Sequence, residues 1–310
     1  MLGAVFGLSF AFVFGAGSVV SRRGVLRAGG SYIANISILT GPVFFLVVCV
    51  IIGEIFRMGQ FPWISYVFFA ISGVIHFAFG RTFSYKALEL IGATRTNVVT
   101  NLSTIVTIIL AVAFLRELFT PVIALGIALS LAAPILLGVK GQTAARTDQT
   151  GPSPKGKDVD RHSLYLGLLY GLGAAVFWGS SPLFVKMGIE SGGSSIAGNL
   201  TAFTAASLAI SPSFLSRNNR AELFAPDWKS LRLALMSGLS SNVAQMLRFL
   251  ALAYGSVITV SMAQRTIPIW TLLLAFIFNR KLENFGFWVL LGNALLLIGT
   301  ALVMVEQLTG

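Results

Sequence analysis

The sequence predicts an all-α integral membrane protein, with ten transmembrane helices arranged as two inverted five-helix repeats. Three observations carry that prediction: an apolar composition, ten apolar runs, and a self-similarity between the two halves of the chain. Of the 310 residues, 55% are apolar and 11% charged, and the mean hydropathy is +0.84. Soluble domains carry about 25% charged residues. This chain has too few polar side chains to cover a globule, so lipid must solvate much of its surface.

A helix crosses the hydrocarbon core with about 20 mainly apolar residues. Apolar runs separated by charged or Pro/Gly-rich breaks place segments one to five near 2–20, 32–52, 64–86, 94–115 and 119–139. Segments six to ten follow near 163–186, 195–215, 231–253, 256–279 and 284–305. Segment one is read as a retained membrane helix, because nothing basic precedes it and Arg22 and Arg23 follow it, the reverse of a cleaved signal. Residues 140–162 contain Gly151, Pro152, Pro154 and several charges. That stretch cannot bury an apolar face and reads as a flexible linker between a first repeat, 1–139, and a second, 163–310.

Basic residues crowd the breaks after odd-numbered segments. Arg22, Arg23 and Arg27 follow segment one, and the linker holds Lys140, Arg146, Lys155, Lys157 and Arg161. Breaks after even-numbered segments hold Arg57, Arg116 and Lys186. The positive-inside rule then puts the linker in the cytoplasm and both termini outside, in a multi-pass protein of the plasma (inner) membrane. The formal net charge of +11 is on this reading a topology signal, and nucleic acid is not an expected partner. The lone Cys49 excludes an intrachain disulfide and a thiolate metal cluster.

Sliding the chain against itself by 164 residues pairs Gly3 with Gly167, Gly7 with Gly171, Phe14-Gly15 with Trp178-Gly179, Arg22 with Lys186 and Asn35 with Asn199. With slight drift the pairing reaches Trp63 and Trp228, Glu117 and Glu283, and Gly126 and Gly292. Five segments per repeat is an odd number, so two copies joined on one side of the membrane insert in opposite orientations. Near-equivalent halves of that kind can exchange conformations, opening an interfacial site to one side and then the other.

Phe14-Gly15, Trp178-Gly179, the Arg81–Ala93 stretch RTFSYKALELIGA, its partner Arg248–Ser256 (RFLALAYGS), and the segment ends Arg116-Glu117 and Leu282-Glu283 together resemble the drug/metabolite transporter superfamily, specifically its ten-helix EamA-type members. The resemblance covers nearly the whole chain. It implies a central cavity lined mainly by segments one, three, four, six, eight and nine, with segments five and ten peripheral, and an alternating-access carrier for a small organic metabolite. It leaves the cargo open. Pro268 puts a flexible point in segment nine, whereas Leu102, preceded by Asn101, occupies the aligned place in segment four. A hinge common to both halves is therefore not expected.

Polar side chains inside membrane segments are costly unless they face a cavity or a partner. The candidates for substrate binding are His76 and Arg81 in segment three, Asn97 and Asn101 in segment four, Trp178 in segment six, Asn242, Gln245 and Arg248 in segment eight, and Gln264 and Arg265 in segment nine. Arg265 is the strongest, being too deep to snorkel. Guanidinium forks match carboxylate or phosphate, and Glu54, Glu89, Glu117, Glu190, Glu283 and Glu306 all fall at or near segment ends. An anionic or carboxylate-bearing solute, an amino acid or another metabolite, follows. No catalytic, metal or cofactor residues are assigned: the chain has no HExxH, GxSxG or phosphate-loop motif. The expected partners are a small-molecule substrate and the bilayer, with a homodimer through the Gly3/Gly7 and Gly167/Gly171 stripes as an alternative use of those glycines. The competing readings are a membrane-embedded enzyme and a non-transporting receptor on the same scaffold.

Overall fold

The computed structural model describes residues 1–140, 161–215, 227–278 and 287–309. Apart from its end residues, the expected linker at 140–162 lies outside the described residues, as do Arg217, Arg220, Arg280, Lys281 and Glu283. Every regular element among the described residues is helical, the solution that pairs backbone groups internally where lipid offers no partner.

α1 (Leu2–Ala28) runs past its expected end, so that Arg22, Arg23 and Arg27 extend the helix. Gly29, at φ 85°, turns the chain directly into α2 (Gly30–Ile51). A short 3₁₀ segment, Glu54–Gln60, leads to α3 (Trp63–Gly73). The path then widens to a π-type helix over Val74–Gly80 and continues as α4 (Arg81–Thr100). Gly92 breaks α4 at φ 76°, a conformation open to glycine at no steric cost, and this break separates expected segments three and four. α5 (Ser103–Leu115) and α6 (Pro121–Lys140) follow; proline suits the first position of α6, where its missing N–H is not needed.

Beyond the undescribed stretch lie α7 (Arg161–Glu190), α8 (Ser195–Ile210), α9 (Trp228–Tyr254), α10 (Val257–Gln264), α11 (Ile267–Phe278) and α12 (Phe287–Thr309). Side-chain oxygens start three of these helices: Ser194 accepts from Ile196 N, Asp227 from Ser230 N and Ser256 from Thr259 N. Seven stretches among the described residues are long and apolar enough to cross a bilayer, and Pro121–Ala132 is a shorter apolar helix.

Helices from the two halves of the chain interleave. α1 packs on α9, α10 and α11, and α7 packs on α3, α4 and α5. α6 lies along α12, and α2 and α3 contact α8. Apolar side chains from several of these helices, including Phe69, Ile108, Val185, Phe249 and Met262, form the main buried cluster.

Without water to drive helices together, close backbone approach supplies the packing. A side chain at Gly3 would meet the backbone of Gly255, and one at Gly7 would meet Ala263. Gly167 and Gly171 face Ile91 and Val99 in the same way. All four glycines of the two stripes are thus used in contacts within the chain. Gly126 and Gly299 bring α6 and α12 together, each pressed against the other's carbonyl oxygen.

At one end of the α1–α9 pair, Arg27 donates to Asp227 through Nη2 at 2.5 Å and through Nε at 3.3 Å. The Arg27 hydrogen bond, with that of Ser230, holds the Asp227 carboxyl well below the usual carboxylate range. A depressed carboxyl stabilises the folded chain above its unfolded value of about 4, and that contribution disappears as pH falls through the lower folded value.

Two outcomes follow. Gly299→Leu overfills the α6–α12 contact and lowers stability by about 1–3 kcal/mol, seen as an earlier thermal transition in detergent, whereas Gly59→Ala, with open space around it, leaves the transition in place. Thermal stability measured from pH 6 downward declines below about pH 4 in the wild type, and Asp227→Asn removes that part of the decline.

Candidate functional site: a polar cavity between the halves

A cavity of ≈ 600 Å³ lies between the two halves. Phe10 and Phe14 of α1, Trp178 and Pro182 of α7, and Phe77 and Phe203 supply its apolar wall. Its polar wall is made by His76, Arg81, Asn97, Asn101, Gln245, Arg248, Gln264 and Arg265, with hydroxyls such as Thr100, Thr104, Ser241 and Ser261. Nine of the ten substrate-binding candidates therefore line one space; Asn242 does not. It is 1% exposed and its Nδ2 donates to Thr40 Oγ1 at 3.4 Å, bracing α9 against α2. The expected lining helices all contribute, but Ser37, Ser130, Phe203 and Leu296 reach the cavity as well, so segments two, five, seven and ten each touch it.

The two central helices of the cavity are interrupted at matching places, which corrects the expectation that only segment nine bends. Between α4 and α5, Leu102 N bonds to Val99 O; between α10 and α11, Arg265 N bonds to Met262 O and Thr266 N to Ala263 O. These are i→i+3 bonds that tighten the helix and leave carbonyls short of their usual donors. Side chains add further donors nearby. Thr100 Oγ1 donates to Thr96 O at 2.9 Å, Asn101 Nδ2 donates to Asn97 O at 2.7 Å beside the Asn101 N–H, and Thr266 Oγ1 donates to Ala263 O at 2.7 Å beside its own N–H. Proline is not needed for such a turn: i→i+3 bonding forms it between α4 and α5 with leucine at position 102.

The two interruptions meet. Arg265 donates through Nη1 to Asn101 Oδ1 and through Nη2 to Asn101 O at 3.3 Å. The residue singled out as the strongest solute contact is thus also a tie between the halves. Arg81 donates from Nη1 to Ala34 O at 2.8 Å. Arg248, 3% exposed, donates from Nη1 to the neutral Gln245 Oε1 at 3.3 Å, while its Nε has no partner. His76 Nδ1 and Gln264 Nε2 are likewise buried without partners.

The widened backbone at Val74–Gly80 places His76 and Arg81 on the cavity side. Trp178 Nε1 donates to His76 O at 3.0 Å, satisfying a carbonyl in that irregular turn. The indole can approach because residue 80 is glycine; a Cβ there would collide with its ring. Of the other aromatics, Tyr85 donates to Gly30 O at 3.3 Å, Trp270 meets Phe12 edge-on at 5.3 Å, and Tyr254 is exposed beside Phe6. None of these three lines the cavity.

Two charged residues at segment ends tie helices together. Lys186 Nζ donates to Leu252 O at 3.0 Å and Gly255 O at 3.1 Å, tying α7 to the end of α9. The Glu117 carboxylate accepts from Val257 N at 2.5 Å and Ile258 N at 2.9 Å, so the end of α5 caps the start of α10. Burial pushes the Glu117 carboxyl up, and the two backbone N–H groups and Lys186 oppose that rise. Both residues belong to the repeat pairs Arg22/Lys186 and Glu117/Glu283, which was the available sequence signal. Among the described residues, no group of three or more His, Cys, Asp and Glu side chains comes together as a metal site would require.

Glu117→Ala strips the acceptor from two helix-start N–H groups and costs about 1–2 kcal/mol of stability, measured by thermal unfolding in detergent; Glu117→Gln, which keeps an acceptor, loses less.

Comparison with known proteins places this geometry. The family model described as "EamA-like transporter family" matches residues 1–139 and 165–305. A crystal structure of a protein 15% identical in sequence superposes with a TM-score of 0.73, covering 98% of this chain and 96% of that one, which shows a shared fold. No curated protein matches the chain significantly. The matched stretches are the two halves that the internal repeat delimits, and the chain belongs to the EamA-like transporter family, a membrane transporter family of the drug/metabolite transporter superfamily.

Proposed function

We propose that this protein is an alternating-access carrier that moves a small anionic organic metabolite across the plasma (inner) membrane. The observation that carries the reading is the cavity itself. It lies between the halves, three guanidinium groups line it, and no carboxylate is among its lining residues. Buried cations without buried anions are costly, and an anionic solute offsets that cost while it is bound.

The architecture proposed is ten transmembrane helices in two inverted five-helix repeats, residues 1–139 and 163–310, with a cytoplasmic linker at 140–162 and both termini outside. Its supports are the 164-residue self-similarity, the reciprocal packing of α1 on α9–α11 and of α7 on α3–α5, and the tightened turns in corresponding helices. In this arrangement Lys186 and Glu117 latch the outer end, where α7, α9, α5 and α10 converge. Rocking one set of helices against the other breaks this latch.

The test is accessibility from each side. Cys49 is the single native cysteine and is buried, so Cys49→Ser gives a silent background for Gln264→Cys in proteoliposomes. A membrane-impermeant thiol reagent is expected to label Gln264→Cys from one side at a time. Lys186→Ala is expected to shift labelling toward the outer side, alongside saturable uptake of labelled organic anions by the wild type. Labelling from both sides at once, with non-saturable flux, would identify a channel and sink the carrier.

A further inference from the structure

The three cavity arginines differ in what already occupies them. Arg265 has an amide oxygen and a carbonyl as acceptors on Asn101, and Arg81 has the Ala34 carbonyl. Arg248 has the neutral Gln245 oxygen and a buried Nε with no partner. His76, on which both Arg248 and Arg81 act electrostatically, also turns an unpartnered Nδ1 into the same cavity. The buried Arg248 Nε–H left open in this way lacks only an acceptor. Beside them stands an aromatic wall: Phe77 lies 4.7 Å from His76 and 4.5 Å from Phe203, and Trp178 lies 6.4 Å from His76, centroid to centroid.

Resting on the carrier reading above, we propose that Arg248 and His76 receive the acid group of an organic acid that bears no positive charge, and that Phe77, Trp178 and Phe203 hold its flat apolar body. Arg248 contributes charge-assisted donors from Nε and Nη, and the His76 imidazole adds another when Nδ1 carries a proton. A cationic amino group on the same solute would find no carboxylate among the lining residues and would sit in the field of three guanidinium groups. Zwitterionic amino acids, which the cavity's charge alone would admit, are disfavoured for that reason. The ≈ 600 Å³ available suits one ring-sized solute. Arg265 acts mainly through Asn101, as the tie between the interrupted helices.

Binding to the purified full-length protein tests this with four related probes: 3-phenylpropionate, phenyl phosphate, L-phenylalanine and 2-phenylethylamine, titrated calorimetrically. Binding of 3-phenylpropionate or phenyl phosphate is expected, the tighter of the two telling carboxylate from phosphate. Phenylalanine is expected to bind at least about tenfold more weakly and phenylethylamine not at all. Arg248→Gln should weaken the anion by at least about tenfold, and Arg248→Lys, which keeps the charge but loses the fork, by an intermediate factor. Arg265→Gln should weaken the anion by a smaller factor than Arg248→Gln does.

The probe series on the unaltered protein needs no variant to fold. Equal or tighter binding of phenylalanine or phenylethylamine, or no binding of either anion, would overturn the proposal, as would loss of affinity in Arg265→Gln but not in Arg248→Gln. The thiol-accessibility assay is independent of these titrations. Alternating labelling without anion binding removes this inference and keeps the carrier, whereas anion binding with two-sided labelling does the reverse.

Discussion

Backbone polar groups inside a bilayer have no water to turn to, and the structure of this protein is organised around that constraint. A helix that stays regular satisfies itself, but a helix that is to carry a polar side chain toward the middle of a cavity and bend there gives up regular bonds. The chain does this between α4 and α5 and again between α10 and α11, with i→i+3 bonds in place of regular ones. Threonine hydroxyls and the Asn101 amide add donors to local carbonyls, while Arg265 reaches across from the other half to Asn101. One guanidinium thereby satisfies an irregular backbone, pairs two halves, and puts charge on the cavity wall.

Much of this was legible in the residues. Composition and run length gave away the lipid environment, because no other solvent fits so few charges. Nine of the ten candidates, chosen as polar side chains inside membrane segments, line one cavity, and burial cost is what makes that choice a useful filter. Asn242 passed the filter and yet braces α9 against α2, since an intramembrane amide needs a partner and a neighbouring hydroxyl serves as well as a cavity does.

What the residues concealed was bonding that depends on several of them at once. The turn at Asn101–Leu102 has no proline, and its signal is spread over Asn97, Thr100, Asn101 and the distant Arg265. Lys186 and Glu117 sit at segment ends, where a charge ordinarily faces headgroups and water. Only the folded chain shows that their partners are the terminal carbonyls of α9 and the first amides of α10. The widened turn before Arg81 is similar: its stability rests on Trp178, 102 residues away, and on the absence of a side chain at Gly80.

The exchange of helices between the halves also bears on how the chain is made. α1 is synthesised early, yet its partners are α9, α10 and α11, and one of its contacts, Ser240 to the Val13 carbonyl, spans 227 residues. α1 therefore meets these partners in the bilayer only after the second half has been inserted. The bilayer can keep it there because the helix needs no partner for its own backbone. Helices of the second half complete the packing of α1, so the cavity, lined from both halves, forms only when both are present, and the first half alone does not enclose it.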